Sequence, residues 1–419
     1  MSDRVRFVHA ADLHLDAPFQ GIAAADPRIG AELADATYAA FRRVVDTCLD
    51  RDVSFLAIAG DAYNSADKSL RAQLRFRTEM ERLAKAGIEV FIVSGNHDPQ
   101  SGWSAGLSLP ETVHVFAADR VERIEVVRDG EVIAAVYGRS FARAAETANL
   151  ALGYHRDLTD PVAIGVLHAN VGSNGDYDPY APASLEDLRA AGMDYWALGH
   201  IHKQEVLAEH PWIVYAGSPQ GLNPKETGSH GCFVVEISPG GATTLERVET
   251  APIGWAQTDV DASDAADLED VRALLLEACE TMRVESGRHT VARIALIGRS
   301  AAHPDLRRPG VAAQLFADIR AEAVVDTPWV WIDRLVDRTS SIVDLDELRG
   351  GPDFAAELVR IADELASDHV ELETLLAAIA APVATTLSGY GTQCAPRDTL
   401  ERARDAALDL LLSKGGDCR

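Results

Sequence analysis

The sequence predicts an α/β layered sheet, then a small second α/β unit, then a helical C-terminal region. Three observations carry this. Short apolar runs alternate with helix-period segments through the first 250 residues, a β-α-β-α-β order follows from about residue 254, and no strand-like run occurs beyond about residue 343. At 419 residues the chain suits two or three domains, the first large enough for a full hydrophobic core.

The elements follow in order. VRFVHA (5 to 10), SFLAIAG (54 to 60), EVFIVSG (89 to 95), VAIGVLH (162 to 168), YWALGH (195 to 200), WIVYAG (212 to 217) and CFVVEI (232 to 237) are apolar without alternation, as strands covered on both faces are. Phe41, Val44, Val45 and Cys48 recur at helical spacing, as do Leu70, Leu74 and Leu83 before a stop at Gly87. Beyond residue 253 the texture changes. QTDVDA, a helix over about 265 to 285, TVARIALIG, a helix over about 311 to 325 and PWVWIDRLV make the second unit, with Trp329 and Trp331 on one strand face. FAAELVRIADELA, VELETLLAAIA and LERARDAALDLLL read as closing helices. The boundaries are thus 1–253, 254–340 and 341–419.

Composition narrows the function classes. Sixty-five Asp and Glu against 39 Lys and Arg leave a net charge of -26. Such a chain repels nucleic acid and anionic membranes at long range unless a basic patch or bound metal intervenes. No stretch approaches the roughly 20 apolar residues of a membrane span, and the N-terminus carries no cleavable signal pattern. A cytoplasmic protein without a membrane partner is expected. The five cysteines (Cys48, Cys232, Cys279, Cys394, Cys418) never form a CxxC pair and are expected to be reduced, without catalytic or metal roles.

Five polar clusters fall at the ends of predicted strands: Asp12-Leu-His14, Gly60-Asp61, Gly95-Asn96-His97-Asp98, His168 and Gly199-His200-Ile-His202. Carboxyl ends of strands in an α/β sheet converge on one edge, where ligands bind. Neutral imidazoles and carboxylates suit first-row metals, and the absence of thiolate argues against a structural zinc. The count fits two metals. Asp12, His14, His202 and one oxygen of Asp61 make one set; Asn96, His168, His200 and the other oxygen of Asp61 make the second. Two ions sharing a carboxylate sit roughly 3.5 to 4 Å apart, a spacing that clamps the attacking and leaving oxygens of phosphoryl transfer. His97 is expected to act as an acid toward the leaving group or to hold a phosphate oxygen, with Asp98 orienting its ring. His9 is expected to hydrogen-bond or pack beneath the site.

This pattern resembles the signature of the calcineurin-like metallophosphoesterases. The wording of FVHAADLHLDAPF, GVLHANVGS, YAPASLEDLRAAGMDYWALGHIHK and YAGSPQGLNPKETGSHGCFVVEI is similar to their bacterial DNA-repair nuclease branch, which holds SbcD and its YhaO-like relatives. The resemblance is strong over residues 5 to 237. It implies a four-layer α/β/β/α sandwich as the nuclease core (1–253), a small capping domain that helps select DNA (254–340), and C-terminal helices (341–419) that dock on the coiled-coil base of an SbcC-like SMC/ABC-type ATPase. It also implies Mn2+ as the metal, with Fe2+ or Zn2+ as alternatives, and DNA, single- or double-stranded, as the substrate; a homodimer is a further option. The match departs at Gly60-Asp61-Ala62-Tyr63-Asn64, where the family has Asp or His at the last place. Asn64 cannot donate a proton near neutral pH, which counts against an exonuclease step that relies on one there.

Substrate contacts are expected from Tyr177 and Lys203, with Tyr180 and Lys225 as alternatives. Residues 68 to 85 hold a local excess of four positive charges, read first as a solvated helix face. Two other functions share the ligand set: a phosphoesterase for small phosphodiesters or nucleotides, and an inactive scaffold for the ATPase. The 165-residue extension favours the capped nuclease over the first, and the intact ligand set weighs against the second.

Overall fold

The computed structural model describes residues 4–19, 26–102, 104–172, 175, 177–238, 241–380 and 396–413; Cys394 and Cys418 lie outside them. The chain divides into two units, one of residues 1–256 with 288–291, the other of 257–287 with 292–419.

The first unit contains β1 (Val5–Ala10), α1 (Pro27–Asp50), β2 (Phe55–Ala59), α2 (Leu70–Lys85), β3 (Glu89–Val93), β4 (Val113–Val115), β5 (Glu122–Arg128), β6 (Glu131–Gly138), β7 (Ala163–His168), α3 (Leu185–Ala190), β8 (Tyr195–Gly199), β9 (Glu205–Glu209), β10 (Trp212–Tyr215), β11 (Gly231–Ile237) and β12 (Thr243–Glu249). They form two six-stranded sheets, ordered β12-β11-β1-β2-β3-β4 and β5-β6-β7-β8-β10-β9. β1, β2 and β3 pair in parallel, as do β6, β7 and β8.

Side-chain alternation builds four layers, as expected. Phe7, Phe55, Ala57 and Phe91 from one sheet and Val136, Ile164, Val166 and Ala197 from the other share the core between the sheets. The intervening residues Val8, Leu56, Ile58 and Val90 face outward onto Phe41, Val44 and Cys48 of α1 and Phe76 and Met80 of α2. On the second sheet, Leu167, Trp196 and Leu198 pack outward against Leu150, Tyr154 and Leu188. Each central strand is therefore apolar on both faces, which is why the sequence shows runs and not alternation. β5 and β6 form a hairpin that the apolar runs do not predict, turning at Asp129 and Gly130, both at positive φ (54° and 83°).

The second unit carries most of a three-stranded sheet, β13 (Ile253–Asp261), β14 (His289–Ile297) and β15 (Val330–Asp337), with α4 (Leu268–Ser286), α5 (His303–Leu306) and α6 (Val311–Ala323). Val271, Leu275 and Cys279 are the buried face of α4. Trp329 and Trp331 are buried. Four helices follow: α7 (Leu345–Arg349), α8 (Phe354–Ser367), α9 (His369–Ala380) and α10 (Pro396–Ser413). Val359 of α8 and Leu408 of α10 share one small apolar cluster. Among the described residues no helix is long and apolar enough to cross a membrane.

Candidate metal centre

Five loops at the carboxyl ends of β1, β2, β3, β7 and β8 converge within the first unit. The first two run side by side: Asp12 N donates to Gly60 O (3.0 Å) and His14 N to Asp61 O (3.0 Å). Asp12, His14, Asp61 and His200 all adopt positive φ (51°, 42°, 51° and 99°), a region L residues rarely enter. Such strain persists where the surrounding structure fixes it, and it gathers at functional sites. Gly95 serves close approach. A Cβ there would stand 2.8 Å from His168 Nε2 and closer still to Asp61 Oδ1.

The donor atoms meet in three overlapping groups, each within 4.8 Å: Asp12 with His14 and His202, His14 with Asp61 and His97, and Asp12 with Asp61 and His168. Asn96 and His200 line the same cavity of about 340 Å3 as Asp61, His97, Tyr177 and His202. All seven residues expected as ligands are thus brought together. Tyr177 is there too, its hydroxyl accepting from His202 N (3.3 Å) and its ring 5.8 Å from that of His200. Tyr180 lies 6.0 Å from the same ring. Lys203 and Lys225 are exposed and do not line this cavity.

Each imidazole is aimed by its far nitrogen. His168 Nδ1 donates to Ala59 O (2.9 Å), which leaves Nε2 unprotonated and 3.0 Å from Asn96 Oδ1. His200 Nε2 donates to Asp178 O (2.8 Å), freeing Nδ1. His202 Nδ1 meets Glu226 Oε1 at 2.9 Å, and its Nε2 lies 3.0 Å from His14 Nε2. His14 Nδ1 is buried without a partner. Facing acceptors and an orphaned ring nitrogen are the donor chemistry a cation satisfies, so these residues fit divalent metal.

The electrostatics agree. Burial pushes Asp12 up to about 8 and raises Asp61 as well, because a carboxylate held from water favours its neutral form. Burial likewise holds His14 well below the ordinary imidazole range, His168 down at about 3 and His200 at about 4, all as neutral ligands. His202 differs. Burial opposes its charge, but the bond to Glu226 and the nearby Asp12 and Asp61 outweigh it and lift it to about 9.

Two expectations need correction. Asp98 does not orient the His97 ring: its buried carboxylate accepts from Gly95 N (2.7 Å), Ala62 N (2.9 Å) and Tyr63 N (3.4 Å), clasping two of the site's loops. His97 Nδ1 instead meets the backbone carbonyl of Asn64 at 3.0 Å. Sequence spacing cannot separate these, because a carboxylate beside a histidine can turn either way. The basic excess of α2 is largely spent on acidic neighbours: Arg71 and Arg75 pair with Asp35, Arg82 with Asp46 and Glu79, and Arg77 with Glu81. His9 lies beneath the site as expected, bonded to Tyr195 OH (2.9 Å) and Leu198 O (3.1 Å). Sequence reading missed Glu226, which lies in a loop with no ligand spacing to mark it.

A two-sheet sandwich that gathers imidazoles and carboxylates at its strand ends defines a metal-dependent phosphoester hydrolase. The family model for calcineurin-like phosphoesterases matches residues 5–204, and that for the middle domain of metallophosphoesterase YhaO matches 255–340. The chain is 35% identical to the uncharacterized metallophosphoesterase YhaO of Bacillus subtilis, over 82% of this chain and 85% of that protein. It is 26% identical to the DNA double-strand break repair protein Mre11 of Methanopyrus kandleri, over 60% of this chain and 58% of the relative. To SbcD, the smaller-named half of the SbcCD nuclease of Escherichia coli, it is 23% identical, over 64% of this chain and 74% of the relative. The chain belongs to the calcineurin-like metallophosphoesterases.

Proposed function

We propose that the protein is a dimanganese phosphodiesterase that cleaves DNA, the nuclease subunit of an SbcCD-like repair complex with an SMC-type ATPase partner. The convergence of seven donor residues on one solvent-open cavity carries the hydrolytic reading. The DNA reading is supported by the likeness to SbcD and to break-repair proteins. Asp12, His14, His202 and Asp61 would hold one ion, and Asn96, His168, His200 and Asp61 the other. Bound there, two divalent ions supply Lewis acidity and an activated water. The chain's own part is orientation: carbonyls of Ala59 and Asp178 fix two ligand tautomers, and His97, held at Nδ1 by Asn64 O, presents Nε2 to a leaving oxygen or phosphate. Residues 254–340 would cap the core and 341–419 dock the partner, in the cytoplasm.

The spent arginines of α2 and the net charge of -26 favour a second reading, a small phosphodiester as substrate. One assay separates the two: Mn-dependent hydrolysis of single-stranded DNA, double-stranded DNA and bis(p-nitrophenyl) phosphate, in parallel across a salt series. DNA cleavage at low salt is expected. Hydrolysis of the ester without any DNA cleavage would replace the first reading by the second.

A further inference from the structure

The imidazoles expected to hold the two ions are not supported alike. His168 and His200 lean on neutral backbone carbonyls, of Ala59 and Asp178. His202 leans on a full carboxylate, Glu226, at 2.9 Å, with both side chains mostly buried (18% and 12% exposed). That carboxylate is itself anchored, accepting from Leu222 N (2.7 Å) at Oε2 and from Asn223 Nδ2 (2.5 Å) at Oε1. The charge is uneven too. The set of Asp12, His14, His202 and Asp61 holds two carboxylates with Glu226 behind them, whereas that of Asn96, His168 and His200 has only the shared Asp61.

We propose that Glu226 is a positioning residue that, through His202, makes the first metal position the tighter of the two, so that the ions load in sequence. The inference rests on the two-metal reading above. A carboxylate behind a ligand imidazole fixes its tautomer and raises its basicity, and losing such a partner costs about 10- to 100-fold in metal affinity.

The test is Mn2+ titration of the full chain by calorimetry and electron paramagnetic resonance, without substrate. Wild type should bind two ions in resolved steps. Glu226→Gln keeps the shape and the acceptor for Leu222 N, and should weaken the first step about 10- to 100-fold while the second moves by less than about threefold. In a His202→Ala background the same change should no longer alter the first step, a coupling that a merely structural residue would not show. Melting of the metal-free protein checks the fold, and Glu226→Asp, which withdraws the carboxylate by one methylene, carries the test if the Gln variant does not fold. Two unchanged steps in Glu226→Gln, equal weakening of both, or an undiminished effect without His202 would each overturn the proposal. Wild type that binds no Mn2+ would instead overturn the two-metal reading.

Discussion

Gly95→Ala tests the site by shape alone. Gly95 is not at positive φ, so alanine costs nothing in backbone conformation, and the entire effect falls on what its Cβ would meet. That atom would lie 2.8 Å from His168 Nε2 and still nearer Asp61 Oδ1. Ordinary contact needs about 3.4 Å, so the His168 ring must retreat by roughly 0.6 Å and the Asp61 carboxylate by more, whereas metal ligands tolerate about 0.2 Å. Overpacking should cost the metal-free protein about 1 to 3 kcal/mol. The larger effect is on the metal. At a Mn2+ concentration 100 times the wild-type Kd, binding stabilises the fold by about 2.7 kcal/mol, and a Kd raised 100-fold leaves about 0.4. Thermal melts with and without Mn2+ read both numbers. Wild-type Mn2+ stabilisation in Gly95→Ala would refute the claim that Asp61 and His168 hold metal at this spot.

Three further outcomes are expected. Asp61→Ala should abolish Mn2+ binding and phosphodiester hydrolysis together, since both donor sets share that carboxylate; retained Mn-dependent hydrolysis would sink the assignment. His97→Ala should lower kcat by about 10²- to 10⁴-fold, the usual weight of a general acid, with two ions still bound by calorimetry; loss of an ion would make His97 a ligand, as its grouping with His14 and Asp61 permits. Metal binding should release protons. Asp12 is lifted to about 8 and His202 to about 9 in the metal-free protein, so both hold protons at pH 7 that the ions must displace. Mn2+ affinity should therefore rise from pH 7 toward 9, and calorimetric heats should scale with buffer ionisation enthalpy. Heats independent of buffer would show those groups already deprotonated.

The central sheets were legible because burial on both faces writes an uninterrupted apolar run, and the ligands were legible because they end those runs. What escaped was at the edges. β5 reads Glu-Arg-Ile-Glu-Val-Val-Arg and is half exposed, so its charges hid a strand that only the Asp129-Gly130 turn marks. β9 and β12 are likewise outer strands of their sheets. Second contacts were harder still. Glu226 reaches His202 across 24 residues of loop and strand, and the partner of His97 is the Asn64 carbonyl, which any residue at that position supplies. The side-chain identity at 64, which bore on catalysis in the sequence pattern, does not enter that contact.

The acid excess takes on a different meaning once its location is known. Helix α2 looked like the one basic surface of an acidic chain, yet Asp35 and Asp46 of α1 neutralise its arginines, so it offers phosphate little net field. The strongest carboxylates of the centre, Asp12 and Asp61, are buried, where their charge is costly without a cation and strongly attractive to one. Residues 1–250 hold 35 acidic and 22 basic groups. Two divalent ions would add about four positive charges to them at the cavity itself, at the place where the imidazoles are held neutral. Attraction for an anionic substrate then belongs to the loaded centre and not to the protein surface, which couples substrate binding to metal occupancy and leaves the metal-free chain indifferent to phosphate.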